Sequence, residues 1–158
     1  MRKIKLYLDT SVISALDDRK KPNRMRETQL LWEDIKAGKY DIILSDVLFE
    51  EIRKCKLPKR DVLYNFIDEI SYTHIQNNEL IEDMAEEIIR LGILTAKSYD
   101  DCMHIGSGVY GECDCIVSWN FRHLVNYKTI KGVRIITSIF NYKNIEIMSP
   151  TMVIGREK

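Results

Sequence analysis

Four side chains stand at the boundaries of predicted elements with oxygen atoms to offer: Asp9, Glu51, Asp101 and Asn120. Carboxylates gathered in one pocket repel one another, so such a cluster either titrates upward or binds a divalent cation. Singly, each residue also has a structural job. Asp9 can cap the helix after it, Ser98 to Asp101 has the spacing of a capping box, and Asn120 can open a turn. In FEEIRKC, a helix burying Leu48, Ile52 and Cys55 sets Glu51 at the border of its inward face and Glu50 towards solvent. The same pair can equally form a solvated face with Arg53 and Lys54. In SYDDCMHIG, Asp101 shares a face with His104 and Ile105, which leaves Asp100 as the solvated acid.

The elements that must position these residues read as alternating strands and helices. The run IKLYL, with Ile4, Leu6 and Leu8 on one face and Lys5, Tyr7 and Asp9 on the other, is a strand that delivers Asp9 to its carboxyl end. Thr10 and Ser11 supply capping hydroxyls for a helix over residues 12–16. A helix over 23–37, carrying Met25, Leu30, Trp32 and Ile35 and stopped by Gly38, leads to a strand over 41–45 and a helix capped by Ser45. Helices over 59–70, 79–91 and 98–110 come next, with a strand or loop at 71–76. Strands are expected at 113–119, 133–137 and 145–148, and Pro150 is expected to break the segment after the last of them. This alternation predicts a parallel α/β sheet covered on both faces, in which ligands bind at the carboxyl ends of the strands. Asp9 and Asn120 then share that edge.

Composition narrows the reading. The 158 residues suit one domain with a proper core, and 24 basic against 24 acidic residues leave no net charge to draw a nucleic acid from a distance. Lys5 and Asp9 interrupt the apolar run a signal peptide needs, and no run reaches membrane-spanning length, so a soluble cytoplasmic protein with no membrane partner is expected. Cys55, Cys102, Cys113 and Cys115 form no dense disulfide framework.

Two rival patterns carry less weight. GSGVYG (106–111) fits a dinucleotide fingerprint in letters, but it ends a helix and leads into a strand, the reverse of what that motif requires. Its glycines read instead as close helix–sheet packing and a helix stop. A zinc site from Cys102, His104, Cys113 and Cys115 is opposed by the two-residue spacing of Cys102 and His104, which puts them on different sides of a helix. Lys20, Lys21, Arg24, Arg26, Arg122, His123 and Lys128 are candidate phosphate contacts or plain surface.

In order, Asp9-Thr10-Ser11 after a strand, then SDVLFEEI, YDDCMHI and VSWNF, strongly resemble the PIN-domain family over residues 3–150. DCMHI and IVSWNFRHL look especially like one VapC-type branch. The specificity lies in the ordered combination, since no single phrase carries it. The resemblance implies a three-layer α/β/α sandwich with a mainly parallel sheet, acting as a Mg²⁺- or Mn²⁺-dependent endoribonuclease, often the toxin of a toxin–antitoxin pair. Asp9, Glu51 and Asp101 match the family's acids as catalytic and metal-binding residues, with Thr10 and Ser11 in support. Asn120 stands where many members have a fourth Asp and offers a carbonyl oxygen without charge. RNA is the implied substrate, and an antitoxin protein and a second copy of the chain are the implied partners. The competing reading is a catalytically weakened PIN module that binds RNA or a protein.

Overall fold

The computed structural model describes residues 2–155. Five strands, β1 (Ile4–Leu8), β2 (Tyr40–Ser45), β3 (Thr73–Ile75), β4 (Cys115–Val117) and β5 (Glu146–Met148), form one all-parallel sheet in the order β3-β2-β1-β4-β5. Parallel strands need helical crossovers, and here these cover both faces. Leu6 and Leu8 of β1, Ile42 and Leu44 of β2, and Cys115 and Val117 of β4 pack in one core. The alternate residues Tyr7, Ile43 and Ile116 pack in the other. Helices α1 (Thr10–Ala15), α2 (Pro22–Lys36), α3 (Asp46–Arg53) and α4 (Lys59–Asp68) supply the first core. Helices α5 (Glu79–Arg90), α6 (Tyr99–Tyr110) and α7 (Tyr127–Phe140) supply the second. The result is the three-layer α/β/α sandwich expected, with every strand parallel.

Within this order the sheet reverses direction of growth at β1, with β2 on one side and β4 on the other. Leu6 lies opposite Cys115 and Leu8 opposite Val117, and the pairing ends where Asp9 N–H donates to Val117 O at 3.2 Å. Ligand crevices of open α/β sheets form at such switch points, outside the carboxyl ends of the strands.

Several local expectations change. Residues 133–137 are not a strand but the middle of α7, because Thr129, Gly132, Val133, Ile136 and Thr137 are buried at helical spacing. Asn126 caps α7 by accepting from Thr129 N–H at 2.9 Å. A Cβ on Gly132 would lie 2.7 Å from Ile93, so α7 sits directly on that side chain. Pro150 does not break the chain; it opens a short helix, α8 (Pro150–Gly155), at the position where a missing N–H costs nothing. Thr10 and Ser11 lie inside α1 and make no cap; Asp9 is its N-cap residue and uses no side-chain cap bond either. Ser98 makes no capping bond to α6, so the capping-box role of Asp101 falls away. On α5 the spacing predicts a stripe of Leu80, Met84, Ile88 and Leu91, but the buried residues are Ile81, Met84, Ala85 and Ile88, and Leu91 is exposed.

The GSGVYG glycines do the packing expected of them: a Cβ on Gly108 would lie 2.8 Å from Ile116 in β4. Cys102 and Cys113 belong to the second core and Cys115 to the first, and burial pushes the Cys102 and Cys113 thiols up to about 12. No helix among the described residues is long and apolar enough to cross a membrane.

Asp114 closes the lower end of the β1–β4 pair. It accepts from Arg2 and from the Lys5 N–H, each at 2.8 Å, and from Lys143 at 3.0 Å. The Arg2 hydrogen bond outweighs the opposing burial and, with Lys5 and Lys143, holds the carboxyl well below the usual range. A depressed carboxylate stabilises the fold fully above its unfolded pKa, and the contribution is lost as pH falls through the folded value. Asp114→Asn is therefore expected to lower the melting temperature at neutral pH. The gap to wild type should close progressively below about pH 4; a gap that does not change with pH would refute the assignment.

Candidate active site

Strand β1 is followed by the tripeptide Asp9-Thr10-Ser11, which supplies one carboxylate and two hydroxyls that each fix a carboxylate. Asp9 is 3% exposed. Ser11 Oγ donates to its Oδ1 and Ser118 Oγ to its Oδ2, both at 2.5 Å. Each serine oxygen in turn accepts a backbone N–H from the loop after β4, Trp119 onto Ser11 at 2.8 Å and Asn120 onto Ser118 at 2.9 Å. The loop thereby orients the hydroxyls toward Asp9. Thr10 Oγ1 donates to Glu51 Oε1 at 2.7 Å.

Glu51 comes from α3 and, as expected, is the half-buried member of its pair, with Glu50 exposed. Its Oε1 also meets His104 Nε2 at 2.5 Å. The carboxylate has no proton to give, so Nε2 is the donor. His104 is 2% exposed, and its Nδ1 lies 2.5 Å from the Tyr7 hydroxyl, which lies 2.7 Å from Ser45 Oγ. With a neutral imidazole, Nδ1 accepts from Tyr7 and Tyr7 accepts from Ser45. Protonation of His104 reverses both links without breaking either, since each hydroxyl can donate or accept.

Asp101, in the first turn of α6, accepts from His123 Nδ1 at 2.9 Å and lies 3.5 Å from Asn120 Nδ2. His123 is thus a partner of Asp101 and not a free phosphate contact. Asn120 uses its own Oδ1 to accept from His123 N–H at 2.9 Å, which gives it the turn role as well as a place beside Asp101.

The electrostatics tie the acids together. Burial pushes the His104 pKa down, but the Glu51 hydrogen bond and the fields of Asp9, Glu51 and Asp101 outweigh it and leave it raised. Burial raises Asp9, and although His104, Ser11, Ser118 and the Val12 N–H pull it back, it stays above its ordinary value. Asp101 is raised by burial and by Glu51 against the pull of His123 and His104. Burial also opposes ionisation of Glu51, yet His104, Thr10 and Lys54 together bring it below the usual range. Three carboxylates from β1, α3 and α6 therefore act on one buried imidazole. Tyr7, burial-raised far above its ordinary range, stays a phenol.

The oxygens present are hard donors of the kind that suits Mg²⁺ or Mn²⁺. Among the described residues, no three His, Cys, Asp or Glu side chains stand grouped as a ready metal cage. Most carboxylate oxygens here face protein donors; Glu51 Oε2 and Asp101 Oδ1 take none among the described residues. A cleft of about 710 Å³ lined by Lys3, Lys5, Tyr40 and Tyr72 opens at the opposite, amino-terminal edge of the sheet and shares no residue with the acids.

No family model matches the chain, and no curated protein matches it. Among solved structures, a chain of the crystal structure of VapBC2 from Rickettsia felis bound to a DNA fragment from their promoter aligns with a TM-score of 0.55 over 92% of this chain and 98% of that one. The two are 11% identical, so the likeness is one of fold.

Sequence reasoning missed Tyr7, Ser45, Ser118 and His104 as parts of the site. Tyr7→Phe leaves the His104 ring nitrogen without its buried partner. It is expected to cost about 1–3 kcal/mol in denaturant unfolding, while Glu50→Gln, at an exposed carboxylate, should be neutral within about 0.5 kcal/mol. Equal stability of Tyr7→Phe and wild type would show that the buried chain of hydroxyls is dispensable.

Proposed function

We propose that this protein is a PIN-type endoribonuclease, dependent on Mg²⁺ or Mn²⁺, that hydrolyses RNA phosphodiester bonds and serves as the toxin of a toxin–antitoxin pair. The observation that carries the reading is the meeting of Asp9, Glu51 and Asp101 about His104 at the carboxyl edge of β1 and β4, with Asn120 beside them. The fold shared with a VapBC2 chain supports the toxin–antitoxin part, with a small protein as the cognate partner. Asp9, Glu51, Asp101 and Asn120 would hold the cation. When bound, it supplies Lewis-acid activation of a water and neutralises charge at the phosphate. Ser11 and Ser118 orient Asp9, and Thr10 and His104 fix Glu51, so the chain's part is to keep these oxygens ionised and aimed.

Labelled RNA should be cut in Mg²⁺ or Mn²⁺ and left whole in chelator. Asp9→Asn should abolish cutting by more than the roughly 10–100-fold expected of a supporting contact such as Ser118→Ala. Mn²⁺ should also raise the melting temperature of wild type but not of Asp9→Asn. In chelator, Asp9→Asn should melt at or above wild type, because it removes a carboxylate that burial opposes.

One observation favours the second reading, a weakened module that binds RNA or a protein: the acids are held largely by their own protein donors, with a neutral Asn120 among them. No cleavage with either ion, together with no Mn²⁺-dependent melting shift, would establish it over the nuclease.

Asn120 separates the two most sharply. Asn120→Asp places a carboxylate where an amide now lies 3.5 Å from Asp101, so it should lower stability in chelator and tighten Mn²⁺ binding. Asn120→Ala should weaken Mn²⁺ binding. The same calorimetric Mn²⁺ affinity in all three proteins would reduce Asn120 to a turn residue.

A further inference from the structure

The loop after β4 carries an aromatic ledge that the acidic site does not use. Phe121 is 46% exposed although it comes directly after Asn120. It meets the Trp119 indole edge-to-face with centroids 6.2 Å apart, and the Arg24 guanidinium lies 5.2 Å from the Trp119 centroid and 5.4 Å from that of Phe121. The support beneath is fixed. Trp119 is 8% exposed, its Nε1 donates to Thr28 Oγ1 at 2.8 Å, and that hydroxyl donates to the Arg24 carbonyl at 2.6 Å. Trp119 N–H donates to Ser11 Oγ, the hydroxyl that holds Asp9. One serine therefore joins the ledge to the acids.

Nothing in the core requires Phe121 to sit there, and among the described residues no carboxylate pairs with Arg24. Lys20 and Lys21, exposed just before α2, add positive charge at the same helix start. A half-exposed ring beside an uncompensated cation matches the chemistry of a base and its phosphate, since every nucleobase has a face to stack and every linkage a charge to meet. With no net charge on the chain, affinity for RNA has to come from such local pairings.

We propose that Phe121 is a stacking platform for one nucleobase of a single-stranded RNA and that Arg24 holds the adjoining phosphate. This rests on the nuclease reading and assigns two residues outside the acidic site to hold its substrate; bases inside a duplex are already stacked and offer the ring no free face.

The test is fluorescence anisotropy with a labelled uridine-rich single strand and a blunt duplex of related sequence, in chelator and again in Ca²⁺, which suits hard-oxygen sites. Phe121→Ala should weaken single-strand binding roughly tenfold, and Phe121→Trp should restore it. Arg24→Ala should weaken it and lower the salt slope by about 1. The duplex should be indifferent to Phe121. Melting curves of Phe121→Ala should match wild type, because the ring is half in water. Unchanged single-strand affinity in Phe121→Ala, or an equal loss on duplex and single strand, overturns the proposal while metal-dependent cleavage keeps the nuclease reading standing. Absence of RNA binding under both conditions overturns the two together.

Discussion

A carboxylate buried at the head of a central strand is costly to keep ionised, and Asp9 is 3% exposed. The groups that offset that cost are local: two serine hydroxyls, one backbone N–H and the field of His104. His104 is itself buried, and it tolerates charge only because Asp9, Glu51 and Asp101 surround it. Each charged group is thus sustained by the presence of the others. Much of the interior answers to this mutual dependence, from Tyr7 and Ser45 behind the imidazole to the loop whose N–H groups orient Ser11 and Ser118.

Topology makes the arrangement possible. Because the sheet grows outward from β1 in both directions, the loops after β1 and β4 diverge from adjacent strands and leave a crevice between them. Gly108 lets α6 sit against β4, and the start of the same helix carries Asp101 to the crevice. The packing that closes the second core and the placement of the third acid are consequences of one helix seating.

Much of this was legible in the chain. Period-two alternation set Tyr7 and Asp9 on the same face of β1, and three- and four-residue spacing separated Glu51 from Glu50 and Asp101 from Asp100. The residues that went unread have no signature of their own. Ser45 and Ser118 look like an ordinary cap and an ordinary strand residue, and His104 marked a helix face without showing that it would face Glu51 across 53 positions of sequence. VRIIT reads as a strand for a different reason: its β-branched residues favour strands, but burial at helical spacing and the Asn126 cap decide for α7. Long-range partners and tertiary overrides of propensity are not displayed by a single sequence.

The cysteines give the molecule a use beyond its chemistry. Cys102, on the inner face of α6, and Cys113 belong to the core beneath α5, α6 and α7, while Cys115 faces the opposite layer, and all three are fully buried and outside any disulfide. An alkylating reagent reaches such sulfurs only when the surrounding layer opens. Labelling in mild denaturant, read by peptide mass, therefore times the two halves of the sandwich separately. Joint modification of all three would mark a single cooperative opening, and early modification of Cys115 alone would mark the layer of α1 to α4 as the first to part from the sheet.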